Sequence, residues 1–375
     1  MAKGSRREFL ASSLGATAIA VTGSKPLARS QSGSSSRPPR IRFAVIGINH
    51  SHVNNQVQTM LRAGGQFVAF YAKEADLAAA FAKRFPDVKV ARSEQEILDD
   101  PAIHLVLSAA IPNERAPLGV KAMEHGKDFM VDKPAATTGE QLAEVRRVQA
   151  KTKRIFSVLI GRHENRSINK AGDLIRAGAI GKVIQTTALA PHKMNPETRP
   201  AWFFKREQYG GIICDLASHN LDAYLYLTST TRAEIVASQV GNVNHPQYPE
   251  LEDFGDVMLS GDGGAGYIRV DWFTPAGLNT FGDGRLTIIG SEGYIELRET
   301  VDIGGRPGGD HLFLVDQKGT RYIDCSDVAL PYGERLVDDV LNRTTTADSQ
   351  SRTFLAMELA LEAQKRARRL GVQHG

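Results

Sequence analysis

Gly210-Gly211-Ile212-Ile213-Cys214-Asp215-Leu216-Ala217-Ser218-His219-Asn220-Leu221-Asp222 joins a glycine pair to an apolar-periodic run. The periodicity predicts a helix on which Asp215 and His219, four residues apart, share one face. Asp222, three residues further on, extends the stripe. A carboxylate and an imidazole held together, one turn past a point where backbone can approach a ligand, suit proton transfer. The bland alternative is a polar helix face led by a capping aspartate. Upstream, Asp128-Phe129-Met130-Val131 reads as a buried strand with Asp132-Lys133-Pro134 at its end. Ligands of a parallel α/β sheet collect at the carboxyl ends of strands, which places Lys133 at the mouth of a cleft.

A third candidate is a turn. Ile41 to Gly47 is an apolar strand ending in glycine, followed by Ile48-Asn49-His50-Ser51-His52 and a helical pattern from Val53. This is the context of a dinucleotide-binding turn, with an incomplete glycine pattern. Gly47 supplies the tight turn. Asn49 stands in the second glycine's place, where its tolerance of left-handed backbone helps. His52 stands in the third, where close helix–strand packing favours no side chain. His50 and His52 could hydrogen-bond a pyrophosphate in compensation.

The elements that must position these residues follow from alternation. Strands are predicted at 41–46, 67–71, 105–110, 128–132 and 155–160, and helices at 53–63, 75–84, 93–98, 114–125 and 138–151. Alternation of this kind implies a Rossmann-like, doubly wound parallel sheet. Beyond it, apolar runs at 184–190, 233–240, 256–260, 266–273 and 285–289 follow one another without intervening helices. They predict a large, mostly antiparallel sheet in an α+β second domain, with a terminal helix over 355–370.

In order and spacing these elements resemble the Gfo/Idh/MocA family of sugar and polyol oxidoreductases. Ile111-Pro112-Asn113 matches the family's "TPN" turn, Ala179 to Val183 its entry into the second domain, and Leu286 to Glu296 its late hairpin. The resemblance runs from about residue 41 to 370. It implies that Lys133 is the lysine of the "EKP" motif, with Asp132 in place of glutamate. It also implies that Asp215 and His219 are the aspartate and histidine of "GGGxxxDxGxH", with Ala217 where glycine is common. Lys133, Asp215 and His219 are therefore the expected catalytic residues, with His219 taking the hydroxyl proton. Gly47, Asn49, His50, His52, Lys73, Pro112, Asn113 and Lys133 are the expected cofactor contacts. Arg162, His163, Trp202 and Asp222 are the expected substrate contacts. No metal site is assigned. The second strand ends at Ala72-Lys73-Glu74 with no acidic residue at 72 to hold the ribose hydroxyls, and Lys73 could meet a 2′-phosphate, which favours NADP over NAD. Family members use the second sheet to oligomerise, and so broad an apolar face implies a homo-oligomer here.

Composition bounds the remaining classes. The chain has 375 residues, 42% hydrophobic and 23% charged, with a formal net charge of +4. Residues 1–30 hold Lys3, Arg6, Arg7, Lys25 and Arg29 against Glu8. Without them 41 basic and 41 acidic residues remain. A neutral body argues against a nucleic-acid partner. Arg6-Arg7 precedes an apolar run, Phe9 to Val21, too short to span a bilayer, for which about 20 residues are needed. It reads as a twin-arginine signal peptide, with Ala28-Arg29-Ser30 as the cleavage site and no cysteine to carry a lipid anchor. The expected organisation is a signal peptide at 1–30, a Ser-rich linker at 31–39, a dinucleotide-binding domain at 40–161 and a substrate-binding and oligomerisation domain at 162–375. Periplasmic or secreted location and a tightly bound cofactor, loaded before export of the folded protein, go with that reading. The two cysteines, Cys214 and Cys325, predict no disulfide.

Three functions compete at this level. The first is hydride transfer between a nicotinamide and a carbohydrate hydroxyl or carbonyl. The second is a metal-dependent carbohydrate lyase or hydrolase using ligands among His50, His52, His163, Glu164, His192, Asp215 and His219. The third is a sugar-binding protein without catalysis, against which the joint presence of Lys133, Asp215 and His219 argues.

Overall fold

The computed structural model of the protein describes residues 39–371; the proposed signal peptide and most of the linker lie outside them. The first half is β1 (Ile41–Ile46), α1 (Val53–Arg62), β2 (Gly65–Tyr71), α2 (Ala75–Arg84), β3 (Lys89–Val90), α3 (Glu94–Leu98), β4 (Leu105–Ser108), α4 (Pro112–Glu124), β5 (Asp128–Asp132), α5 (Gly139–Thr152) and β6 (Phe156–Leu159). These strands form one parallel sheet in the order β3-β2-β1-β4-β5-β6. The order reverses between β1 and β4, which opens a crevice beyond their carboxyl ends. Helices cover both faces, so β4, β5 and β6 are buried along their whole length and read as unbroken apolar runs. The two-residue edge strand β3 has both side chains exposed and no apolar pattern to announce it.

The second half is α6 (Arg166–Arg176), β7 (Val183–Pro191), α7 (Arg206–Tyr209), a π-helical turn (Ile213–Ala217), α8 (Ser218–Thr228), β8 (Ala233–Gly241), β9 (Phe254–Gly261), β10 (Gly264–Asp271), β11 (Arg285–Gly290), β12 (Gly293–Arg298), β13 (His311–Asp316), β14 (Gly319–Asp324), α9 (Tyr332–Asn342), α10 (Gln350–Arg366) and β15 (Arg368–Arg369). The nine-stranded sheet has the order β14-β13-β12-β11-β7-β10-β9-β8-β15. Only the β7/β10 and β8/β15 pairs are parallel. One face buries Ile268, Ile288, Ile295 and Leu312 against Ile168, Leu221 and Leu359 of α6, α8 and α10. The other leaves Ile184, Val236, Met258, Ile289, Tyr294 and Tyr322 between 40% and 53% exposed.

The chain then returns to the first sheet. Tyr332, Leu336 and Val337 of α9 share a core with Val57 and Met60 of α1, and α10 packs on α5 and β6 as well as on α8 and β8. The last helix begins five residues earlier than the periodicity suggests, because Ser349 caps it by accepting the Arg352 N–H at 3.3 Å. Among the described residues no helix is long and apolar enough to cross a membrane.

Candidate active site

Lys133 stands where β5 ends. Behind it Arg115, on α4 and 1% exposed, fastens the turn. Its Nε donates to the Ala110 carbonyl at 2.7 Å, its Nη1 to the carbonyls of Lys133 and Pro134, and its Nη2 to Asp132 at 2.9 Å. The turn is thus fixed from inside the protein, and the Lys133 ammonium is left to project into the cleft. Its Nζ donates to Asp215 Oδ1 at 2.7 Å, with the two side chains 7% and 15% exposed. Burial alone would raise the Asp215 carboxyl. The Lys133 ammonium foremost, together with His50 and Arg199, more than offsets it and holds the group below the ordinary value.

Asp215 and His219 come together through a π turn rather than through regular α-helix. Residues 213–217 form that turn, and His219 lies in the first turn of α8 that continues from it. Single π turns inside helices are frequent at functional sites. The glycine pair before it does not bring backbone to a ligand. Gly210 and Gly211 have φ of +87° and +97°, and a Cβ on them would lie 2.9 Å from Thr137 and 2.3 Å from Gln364. The pair lets the helix start pack against this chain's own residues.

The proton on His219 is placed by its surroundings. Gly161 N–H donates to His219 Nδ1 at 2.8 Å. Burial, and then the charges of Lys133, His52 and His192, hold this imidazole well below its usual pKa. A neutral ring whose Nδ1 accepts must carry its hydrogen on Nε2. His219 therefore meets a ligand as a hydrogen-bond donor. With its hydrogen on Nε2 the ring is set up to donate, whereas the sequence reading expects it to take the hydroxyl proton. His192 is the complement. Its Nδ1 donates to the Ala190 carbonyl at 3.0 Å, burial lowers its pKa to about 4, and its Nε2 is bare.

These groups line a cleft of about 1110 Å³ between the two sheets. Trp202, an expected substrate contact, is on its wall. Arg162, His163 and Asp222 are not. Arg162 Nε donates to Asp222 Oδ2 at 2.5 Å, and both Arg162 Nη2 and His163 Nε2 lie 2.5 Å from Asp348. All four are less than 10% exposed. Asp222, one turn beyond His219, is drawn away from the cleft by Arg162 and by Arg352 of α10, whose Nε lies 3.5 Å from Oδ1. In exchange, the cleft recruits His192, Arg199, Trp272 and Phe281, which lie just outside β7, β10 and β11. No local motif marks them, although His192 is among the possible metal ligands by residue type. The Arg199 guanidinium stacks on Phe203, Trp272 and Phe281 at 4.5, 4.9 and 5.6 Å.

A second cleft, about 700 Å³, lies beside the first at the carboxyl ends of β1, β2 and β4. Gly47, Asn49, Lys73 and Asn113 line it, whereas Pro112, His50, His52 and Lys133 line the first. Gly47 has φ of +79°, and a Cβ there would lie 2.5 Å from that of Ala110. Only glycine fits, which is the first requirement of a dinucleotide turn. No side chain caps the start of α1; the Val53 and Asn54 N–H groups donate to the carbonyls of His50 and Ser51 at 3.2 and 3.1 Å. The side chains that replace the other two glycines are each held by a neighbour. Asn49 is not in the left-handed region, and its side chain is held by Glu74 Oε1 at 2.8 Å. The His52 ring turns out of the helix–strand contact to Asp132, 2.9 Å away. The residues fit a dinucleotide across the two clefts. Lys73 pairs with Glu114 at 3.1 Å on the rim, beside Glu74.

Comparison with known proteins agrees with this geometry. Residues 41–160 match the oxidoreductase family with an NAD-binding Rossmann fold, and residues 168–296 match the GFO/IDH/MocA C-terminal domain. A provisionally assigned oxidoreductase of known structure from Erwinia carotovora atroseptica SCRI1043 is 42% identical. It superposes with a TM-score of 0.86 over 88% of this chain and 100% of that one. The scyllo-inositol 2-dehydrogenase (NAD(+)) of Bacillus subtilis strain 168 is 27% identical over 76% of this chain and 79% of its own length. The levoglucosan dehydrogenase of Pseudarthrobacter phenanthrenivorans is 28% identical, over 52% of this chain and only 51% of that enzyme. The double match of domain models and the full-length likeness at 42% identity place the chain in the Gfo/Idh/MocA family of oxidoreductases.

Proposed function

We propose that the protein is an NAD(P)-dependent oxidoreductase acting on a CH–OH group of a sugar, polyol or related carbohydrate. The observation that carries this reading is the Lys133–Asp215 ion pair, with the His219 Nε2–H beside it, at the inner end of a cleft that adjoins the Gly47 turn. The relatives named for inositol and levoglucosan oxidation support the substrate class. A bound nicotinamide supplies hydride acceptance or donation. The chain's own residues do the rest. Lys133 and the Nε2–H of His219 donate to the reacting oxygen and stabilise negative charge as it develops there. The hydroxyl proton is exchanged with the Lys133–Asp215 pair acting as one unit. Arg199, Trp202 and Trp272 supply the wall against which a sugar ring packs.

Lys73 on the rim favours the 2′-phosphate of NADP, and Glu74, whose carboxylate is taken up by Asn49, opposes it. Arg6-Arg7 and the apolar run behind them support twin-arginine export, with a location outside the cytoplasm and a cofactor kept as a prosthetic group. The apolar outer face of the nine-stranded sheet supports a homo-oligomer. Gently purified protein is to be denatured and the supernatant assayed for nucleotide. A near-stoichiometric nicotinamide nucleotide is expected. Less than about a tenth of an equivalent, with no binding of added NAD(H) or NADP(H), overturns the reading.

A further inference from the structure

At the cleft wall nearest the Gly47 turn, two residues of one turn meet a third from the end of β5. One ring nitrogen each of His50 and His52 and a carboxylate oxygen of Asp132 all lie within 4.8 Å of one another. The nitrogens stand 3.1 and 2.9 Å from the carboxylate. Adjacent ligands of a divalent ion with metal–nitrogen and metal–oxygen bonds near 2.0–2.2 Å are separated by about 2.9–3.4 Å. The spacing already present is therefore that of neighbouring ligands.

Well-formed hydrogen bonding accounts for one of the two histidines. His52 Nδ1 makes a well-formed bond to Asp132 Oδ1. His50 Nδ1 is shielded from solvent and lies 3.1 Å from Oδ2, yet its alignment is not that of a hydrogen bond. A buried nitrogen left without a partner costs about 1–3 kcal/mol. The rest of the carboxylate is held from behind, with Lys133 N–H donating to Oδ1 at 2.8 Å and Arg115 Nη2 to Oδ2 at 2.9 Å. Metal-binding carboxylates are oriented by outer partners of this kind.

We propose that His50, His52 and Asp132 form a binding site for a divalent first-row transition metal of the zinc or manganese class, open to the cleft on the side of Lys133 and His219. Two imidazoles and one carboxylate select such an ion over magnesium or calcium, which favour all-oxygen sets. Arg115 already balances the Asp132 charge, which further disfavours a hard cation bound by charge alone. Three protein ligands leave at least one position for a small oxygen ligand. Use of that position by a substrate hydroxyl rests on the oxidoreductase reading above; the binding of the ion does not.

The test uses untagged, chelator-stripped protein without added nucleotide. Cobalt(II) is titrated and followed by its visible absorption, with zinc as competitor. One equivalent should bind with a ligand-field spectrum that zinc abolishes. His50→Ala and His52→Ala should each weaken binding at least tenfold, while His192→Ala, on the opposite wall, leaves it unchanged. His52→Gln, at a ring that is 41% exposed, serves if an alanine variant loses its circular dichroism. Absence of cobalt binding, binding indifferent to both histidines, or equal affinity for magnesium overturns the site. Because no nucleotide enters the measurement, either outcome leaves the dehydrogenase reading to its own assay.

Discussion

Replacing Lys133 by methionine removes the charge opposite Asp215 while filling most of the same space. At 2.7 Å and an effective dielectric of about 20, the lost attraction is about 6 kcal/mol. The variant recovers part of this, because the buried ammonium no longer has to be stripped of water. Breaking one side of a buried pair typically costs 3–5 kcal/mol, and the opening of this pair onto a cleft puts it at about 3. The pH dependence has a definite sign. In the native protein Asp215 is held below its ordinary pKa. Its contribution is complete above about pH 4 and is lost only as pH falls through the lowered value. In Lys133→Met burial acts without its main opponent and raises the carboxyl, so the deficit is largest at neutral pH and shrinks on acidification. Urea unfolding at pH 7 and pH 5 should give a loss of about 3 kcal/mol at the first and clearly less at the second. The double variant Lys133→Met/Asp215→Asn should return to within about 1 kcal/mol of the native protein, since no charge is left unpaired. A single-variant loss under about 0.5 kcal/mol, or a double variant worse than the single, refutes the buried-pair account.

His219→Asn should lower turnover about 10²–10³-fold through loss of one donor to the reacting oxygen. The native pH–rate profile should show no ionisation from His219 near neutral pH, because burial holds its pKa well below the ordinary imidazole value; a nitrogen NMR titration of this ring centred near neutrality would contradict the assigned tautomer. Arg115→Met leaves the Asp132 carboxylate and three backbone carbonyls without their donor and should cost about 3–5 kcal/mol in denaturant unfolding, against less than 1 if the turn held itself. Changing Arg6 and Arg7 to lysine should retain the protein in the cytoplasm, and a fractionation that still finds it outside removes the twin-arginine proposal. Lys73→Ala should lower kcat/KM for NADP more than for NAD; equal losses would take Lys73 off the 2′-phosphate.

The doubly wound sheet is legible in the sequence because β1, β4 and β5 are short apolar runs set between helical periods, and a parallel sheet buried on both faces demands that pattern. Lys133 at a strand end and Asp215 four residues before His219 are local spacings; that the lysine, 82 residues from Asp215, joins the pair is what the family resemblance implies. Nothing in those spacings carries the direction of a hydrogen bond. The tautomer of His219 depends on the Gly161 N–H, 58 residues away in the chain, which no local spacing announces. Arg162, His163 and Asp222 have the residue types of a polar subsite, but Asp348, brought over by the return of the chain through α9 and α10, draws them into a buried ion network. The convergence of His50 and His52 on Asp132, 80 residues beyond His52, likewise exists only once β1 and β5 lie in one sheet with β4 between them. Periodicity and spacing are properties of neighbours along the chain. Which buried polar groups become partners is decided by packing, since each must find whatever donor or acceptor the folded chain places within reach.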